Sequence, residues 1–148
     1  MNASPPGQPT REELRQVYID AWRKRASGQI MSPLEGLLSD VIALHPEYHG
    51  LLVATSADPA SDAAAARGEN PFLHLGLHVA VREQIAIDRP PGVCALREGL
   101  EAQTGGSHAA EHLMMDALAE TLWEGQRDGR LPDEARYVER LRQRLRTR

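Results

Sequence analysis

The stretch SHAAEHLMMDALAETLWEGQRDG, residues 107–129, decides how the chain is read. Ser107 stands as an N-cap and Gly129 as a C-terminal stop. At 100° per residue His108, Glu111, His112, Met115, Ala119 and Leu122 fall on one face. The spacing predicts a helix from His108 to about Asp128, with metal-ligand chemistry at its start and plain core further along.

Working outward, the same period recurs. Upstream, a weaker helix covers roughly 92–103 and ends at Gly105-Gly106. Before it, Asn70-Pro71 is a cap-plus-proline start. That helix runs to about Asp88, where Arg89-Pro90-Pro91-Gly92 stops it. Its Leu73, Leu75, Leu77, Val79 and Val81 lie on most sides, which predicts the central, most buried helix. Residues 56–69 have no period and read as a surface loop. Ser32-Pro33-Leu34-Glu35 and Thr10-Arg11-Glu12-Glu13 are capping boxes. They open helices with apolar stripes at Leu34, Leu37, Leu38, Val41 and Ile42, and at Leu14, Val17, Tyr18, Ala21 and Trp22. Pro46 must interrupt the helix that Ser32 opens, with His45 as the cap of a new short helix. Downstream, Pro132 begins a last helix with Tyr137, Val138, Leu141 and Leu145 inward.

No segment shows sustained period-two alternation. The expected fold is all-α, a single-domain bundle of about five to seven helices over residues 10–148, preceded by a disordered lead-in at 1–9. The 148 residues, 41% hydrophobic and 26% charged, suit one globular domain. The net charge of −4 argues against nucleic acid or an anionic membrane as partner. All basic residues except Lys24 are arginine. A single cysteine, Cys94, excludes an intramolecular disulfide or a thiolate cluster and fits a reducing compartment. The first ten residues lack a basic region and an apolar run, so no signal peptide is expected. Apolar stretches fall short of the ~20 residues of a membrane helix. A cytoplasmic location is the default expectation.

The six histidines form three pairs, His45/His49, His74/His78 and His108/His112. Four is the spacing that stacks two side chains on one helix face, where both imidazoles reach one divalent ion. Neutral imidazole suits zinc, iron, copper and nickel. Glu111 adds a carboxylate on the His108/His112 face. Arg82, near the His74/His78 face, is placed to pair with a ligand carboxylate or a bound anion. Glu83 lies about 180° around from His74 and is a poor candidate. The expected ligand set is therefore His45, His49, His74, His78, His108, Glu111 and His112, holding iron or zinc, one or two ions per chain. Six imidazoles and a carboxylate exceed the four ligands of a closed zinc site, which favours a two-metal centre.

Other readings stand beside this one. A lone histidine on an apolar face is more often a hydrogen-bonded packing residue, so a metal-free interaction module with pH-sensitive histidines is one alternative. The pairs also lie near helix N-termini, where protonated histidines and backbone N–H groups could hold a phosphate. HxxEH is the inverted zinc-protease signature as well, but that chemistry needs a third ligand well downstream of His112, where only a short tail follows. The tryptophans and Met114 and Met115 read as core, Cys94 as a small buried side chain, and the Arg-rich end as a solvated helix face.

The strings HPEYH (45–49), NPFLHLGLHVAVREQ (70–84) and the segment from His108 through LWEGQR (122–127) resemble a bacterial domain-of-unknown-function family, 1841. The similarity runs from about Thr10 to Leu145. The resemblance implies one intact small domain and brings no activity with it.

Overall fold

The computed structural model describes residues 10–53 and 71–146. The expected lead-in at 1–9, the loop at 56–69 and the Asn70 cap lie outside the described residues. Those described are helical, with no strand among them: α1 (Arg11–Ser27), α2 (Pro33–Ala43), a 3-10 turn (Pro46–Tyr48), α3 (His49–Val53), α4 (Pro71–Ile87), α5 (Val93–Thr104), α6 (Ser107–Asp128) and α7 (Glu134–Arg146). The chain is thus all-α, of the helical-bundle class. None of the described helices is long and apolar enough to cross a membrane. Two compact units divide it, Met1–Leu75 and Gly76–Arg148, with the boundary inside α4.

In the first unit both capping boxes form. Thr10 and Ser32 accept from the backbone of Glu13 and Glu35, and the two glutamates accept from the cap backbone in return. Each such cap is worth about 1 kcal/mol. Gly28 ends α1 at φ 69°, a left-handed conformation that costs glycine nothing. The second half of the predicted α1 stripe is inward, with Tyr18 and Trp22 half-buried, but its first half is not. Ile19 and Ala21 are buried, whereas Leu14 and Val17 are exposed. Lys24–Glu35 at 2.5 Å and Arg25–Asp40 at 2.8 Å tie α1 to α2. Leu38, Val41 and Ile42 of α2 are buried, and Leu34 is exposed. Pro46 ends the run as predicted, and His45 is the N-cap of the 3-10 turn.

The second unit is built around α6 rather than α4. Ala110, Glu111, Met114, Met115, Ala117, Leu118, Thr121 and Gly125 are all buried along it. Of these, Ala110, Met114, Met115, Ala117 and Leu118 pack with Val81 from α4, Val93 and Leu100 from α5, and Tyr137 and Leu141 from α7. Complete burial of each large apolar side chain contributes about 1.5–3 kcal/mol. α4 carries the exposed Leu73 and Ile87 at its two ends, so the apolar residues on most sides of it do not make it the centre. The start of α6 is one residue earlier than expected. Gly106 is the N-cap and Ser107 the first helical residue, with no side-chain cap. In contrast α5 is capped from upstream: Asp88 accepts from Cys94 N at 3.0 Å and Gly92 N at 3.4 Å. These backbone N–H groups hold its carboxyl below the usual aspartate range. The last helix begins at Glu134, two residues after Pro132, with Asp133 accepting from Ala135 and Arg136. Its arginines are not merely solvated. Arg140 meets Glu124 at 2.5 Å and Glu120 at 3.2 Å and donates to Thr121 at 2.9 Å, fastening α7 to α6.

A candidate metal centre

The histidines sort by unit. In the first unit His45 is fully buried, and its Nδ1–H donates to the Val41 carbonyl at 2.8 Å. In a neutral ring that leaves the lone pair on Nε2, and His74 Nε2 stands 3.0 Å from it. Tyr48 stacks on the His45 ring, with centroids 5.7 Å apart. His49 does something else. Its Nε2–H donates to the Ile42 carbonyl at 2.9 Å, and its ring lies 4.4 Å from that of Trp22. These contacts are those of a packing histidine, and His49 does not converge with His45 and His74.

In the second unit, α4 and α6 bring three histidines together. His78 projects from the middle of α4 and is fully buried. His108 and His112, one turn apart at the start of α6, are half-buried, with ring centroids 4.1 Å apart. The His78 ring lies 5.5 Å from that of His108 and 5.6 Å from that of His112. One nitrogen from each ring falls within 4.8 Å of the others. Ligand atoms of one tetrahedral zinc stand about 3.4 Å apart, so the three need draw together by no more than about 1.4 Å. Such a set could hold a metal ion.

Glu111 takes a place behind these rings. Its carboxylate is fully shielded from solvent, and His78 Nε2 stands 2.9 Å from Oε1. Arg82 Nε bonds the same oxygen, and Arg97 Nη2 reaches Oε2 at 3.3 Å. Burial by itself would raise the carboxyl pKa. The hydrogen bond from His78 and the charge of Arg82 outweigh it and hold the group at about 2. An ionised carboxylate only accepts, so His78 Nε2 carries the proton, and in the neutral ring Nδ1 keeps the lone pair. This is the carboxylate–histidine arrangement that fixes tautomer and ring orientation at metal sites. Both oxygens are engaged by cationic or N–H groups, which makes Glu111 an orienting residue here rather than part of the converging set.

The sequence reading named Arg82 but not Arg97. Nothing local singles out Arg97, because its meeting with Glu111 joins α5 to α6 and depends on their packing. Glu83 is exposed, as its position opposite His74 implies, and so are Glu47 and Asp116. Asp40 is spent on Arg25. The Cys94 thiol donates to the Ile85 carbonyl at 3.0 Å. Burial, with Asp88 beside it, pushes its pKa up, so it remains a thiol.

The sequence profile of a domain of unknown function, DUF1841, matches residues 10–143. The chain belongs to this family. No curated protein and no solved structure matches it. Membership of DUF1841 therefore covers nearly the whole described chain and leaves the chemistry to be argued from the side chains.

Proposed function

We propose that this protein binds a transition-metal ion, iron or zinc, through His78, His108 and His112. The observation that carries the reading is the convergence of one nitrogen from each ring within 4.8 Å. Three imidazoles with a position left open is the ligand count of a reactive zinc centre rather than of a closed structural one. Iron accepts the same nitrogen donors. Glu111, with its proton-accepting oxygen on His78, supplies the supporting carboxylate such sites use. We place one ion per chain in this set. A second would draw on His45 and His74, whose nitrogens stand 3.0 Å apart.

Elemental analysis of protein purified without a nickel column tests the reading. About one equivalent of iron or zinc is expected, and protein free of Fe, Zn, Mn, Cu and Ni sinks it.

A second reading has a specific observation behind it. His45 and His49 both donate to backbone carbonyls, which is the behaviour of packing histidines. Extended to the second unit, this gives a metal-free interaction module. A strong chelator separates the two. Metal ligation ties binding free energy to folding, so chelation lowers the thermal midpoint at neutral pH on the first reading and leaves it unchanged on the second.

A further inference from the structure

A divalent ion on the three histidines would carry charge that no neighbouring carboxylate among the described residues is free to balance. Arg82 and Arg97 both pair with Glu111, and Arg97 also meets Glu101, so two guanidinium charges face two carboxylates and nothing in this cluster is left over to offset a bound cation. Three neutral imidazoles add nothing to offset a divalent metal. His108 is the second residue of α6, whose N-cap Gly106 offers no side-chain acceptor. The first-turn N–H groups and the helix dipole therefore add further positive potential. Beside the fully buried His78 and Glu111, uncompensated charge is costly.

Arg82 is the free arm of this arrangement. Arg97 is shared between Glu101 at 3.2 Å and Glu111. Among the described residues Arg82 pairs only with Glu111, and through Nε. Its side chain is 33% exposed, so the guanidinium remains within reach of dissolved anions. It also shares Oε1 of Glu111 with His78, which sets it one atom away from a proposed ligand ring. A guanidinium recognises phosphate and carboxylate oxygens with parallel N–H bonds.

From this geometry we infer that the open coordination position takes a small oxyanion, with Arg82 as its second anchor. The inference rests on the metal reading above. It assigns the ligand class of that site: an anion with one oxygen for the metal and others for the guanidinium, inorganic phosphate being the simplest.

The test uses the full chain loaded with Co(II), its metal content measured before and after titration with inorganic phosphate, and the visible cobalt spectrum as readout. Phosphate should shift the spectrum of wild type without stripping the metal. Arg82→Gln should keep its metal and bind phosphate about tenfold more weakly or worse, the loss of one charge-assisted contact. Arg82→Lys keeps the charge and should retain most of the affinity, which guards against a folding defect in the first variant. Imidazole, a neutral ligand, should bind wild type and Arg82→Gln alike. Equal phosphate affinity in wild type and Arg82→Gln overturns the inference while leaving the metal site standing. So does phosphate binding to the metal-free chain with the same affinity. A chain that takes up no cobalt overturns the metal reading and this inference with it.

Discussion

His78 Nε2 and Glu111 Oε1 stand 2.9 Å apart with both side chains at zero exposure. Arg82 and Arg97 close the other sides of that carboxylate. Truncating Glu111 strands a buried imidazole and the partly buried Arg82, and takes from Arg97 one of its two carboxylates. Removing one partner from a buried ionic group costs about 3–5 kcal/mol, and the part-exposed arginines place this case near the lower end. Glu111→Ala is expected to lower the stability of chelator-treated protein by about 3 kcal/mol in denaturant melts. In metal-loaded protein, Glu111→Gln is expected to weaken metal affinity by about 10–100-fold. An unchanged affinity together with an unchanged melt would show that the carboxylate neither orients His78 nor holds the arginines.

The same carboxylate sets an acid limit. Its pKa is about 2 in the folded chain, below the unfolded value of about 4.3. The lowered value means that its contribution is complete above about 4.3 and is lost as pH falls through that value toward 2. Metal-free wild type should lose stability across this window more steeply than Glu111→Gln. Parallel acid-unfolding curves for the two would contradict the pairing.

Tyr137 sets an alkaline limit. It is buried, and its hydroxyl donates to Gln84 at 2.7 Å. Burial pushes its pKa up, so folding opposes ionisation. The stability linked to the neutral phenol is complete below the unfolded pKa of about 10 and falls as pH rises above it. Tyrosinate absorbance for this residue should appear only with unfolding. In Tyr137→Phe the alkaline loss should shrink, at the expense of about 1 kcal/mol at neutral pH for the missing hydrogen bond.

The i,i+4 pairs are not equivalent. His112→Ala should deplete the metal, whereas His49→Ala should leave metal content unchanged and lower stability through the lost Trp22 and Ile42 contacts. Glu83→Ala should change neither. Elemental analysis and thermal melts of the three variants check this. Depletion in His49→Ala equal to that in His112→Ala would refute the division.

A β-carbon at Gly125 would come within 2.9 Å of the Arg130 carbonyl oxygen. The backbone after α6 folds back there, with Arg130 N donating to the Gly125 carbonyl at 2.8 Å. Gly125→Ala should cost about 1–3 kcal/mol, since a backbone atom cannot step aside as a side chain can. A melt equal to wild type would mean that this approach is looser than described.

Helix chemistry was legible because it is local. Thr10 and Ser32 with their glutamates, Pro46, and Gly129 act within a turn or two, so residue order alone determines them. The same holds for His108 and His112, which the helix repeat stacks on one face whatever surrounds them. Faces were read less well, as α1 shows. Leu14 and Val17 fit the periodic stripe yet stand exposed, because which side of a helix is buried depends on what packs against it. α4 shows the same limit. Apolar residues on most of its sides suggested the centre of the fold, and α6 fills that place in the second unit.

The sequence by itself determined an all-α chain with six paired histidines and a glutamate beside the last pair. Only the tertiary structure decided their roles. Donor atoms from α4 and α6 meet through packing between residues more than 25 positions apart, a distance over which no helical repeat carries information. That packing joins His78 to His108 and His112 and, with α5, encloses Glu111 among His78, Arg82 and Arg97; in the first unit His49 turns instead to the Ile42 carbonyl seven positions back. A carboxylate one residue from His112 is a ligand candidate by spacing. Two guanidinium groups brought to it in space make it a counter-charge that also holds the His78 ring.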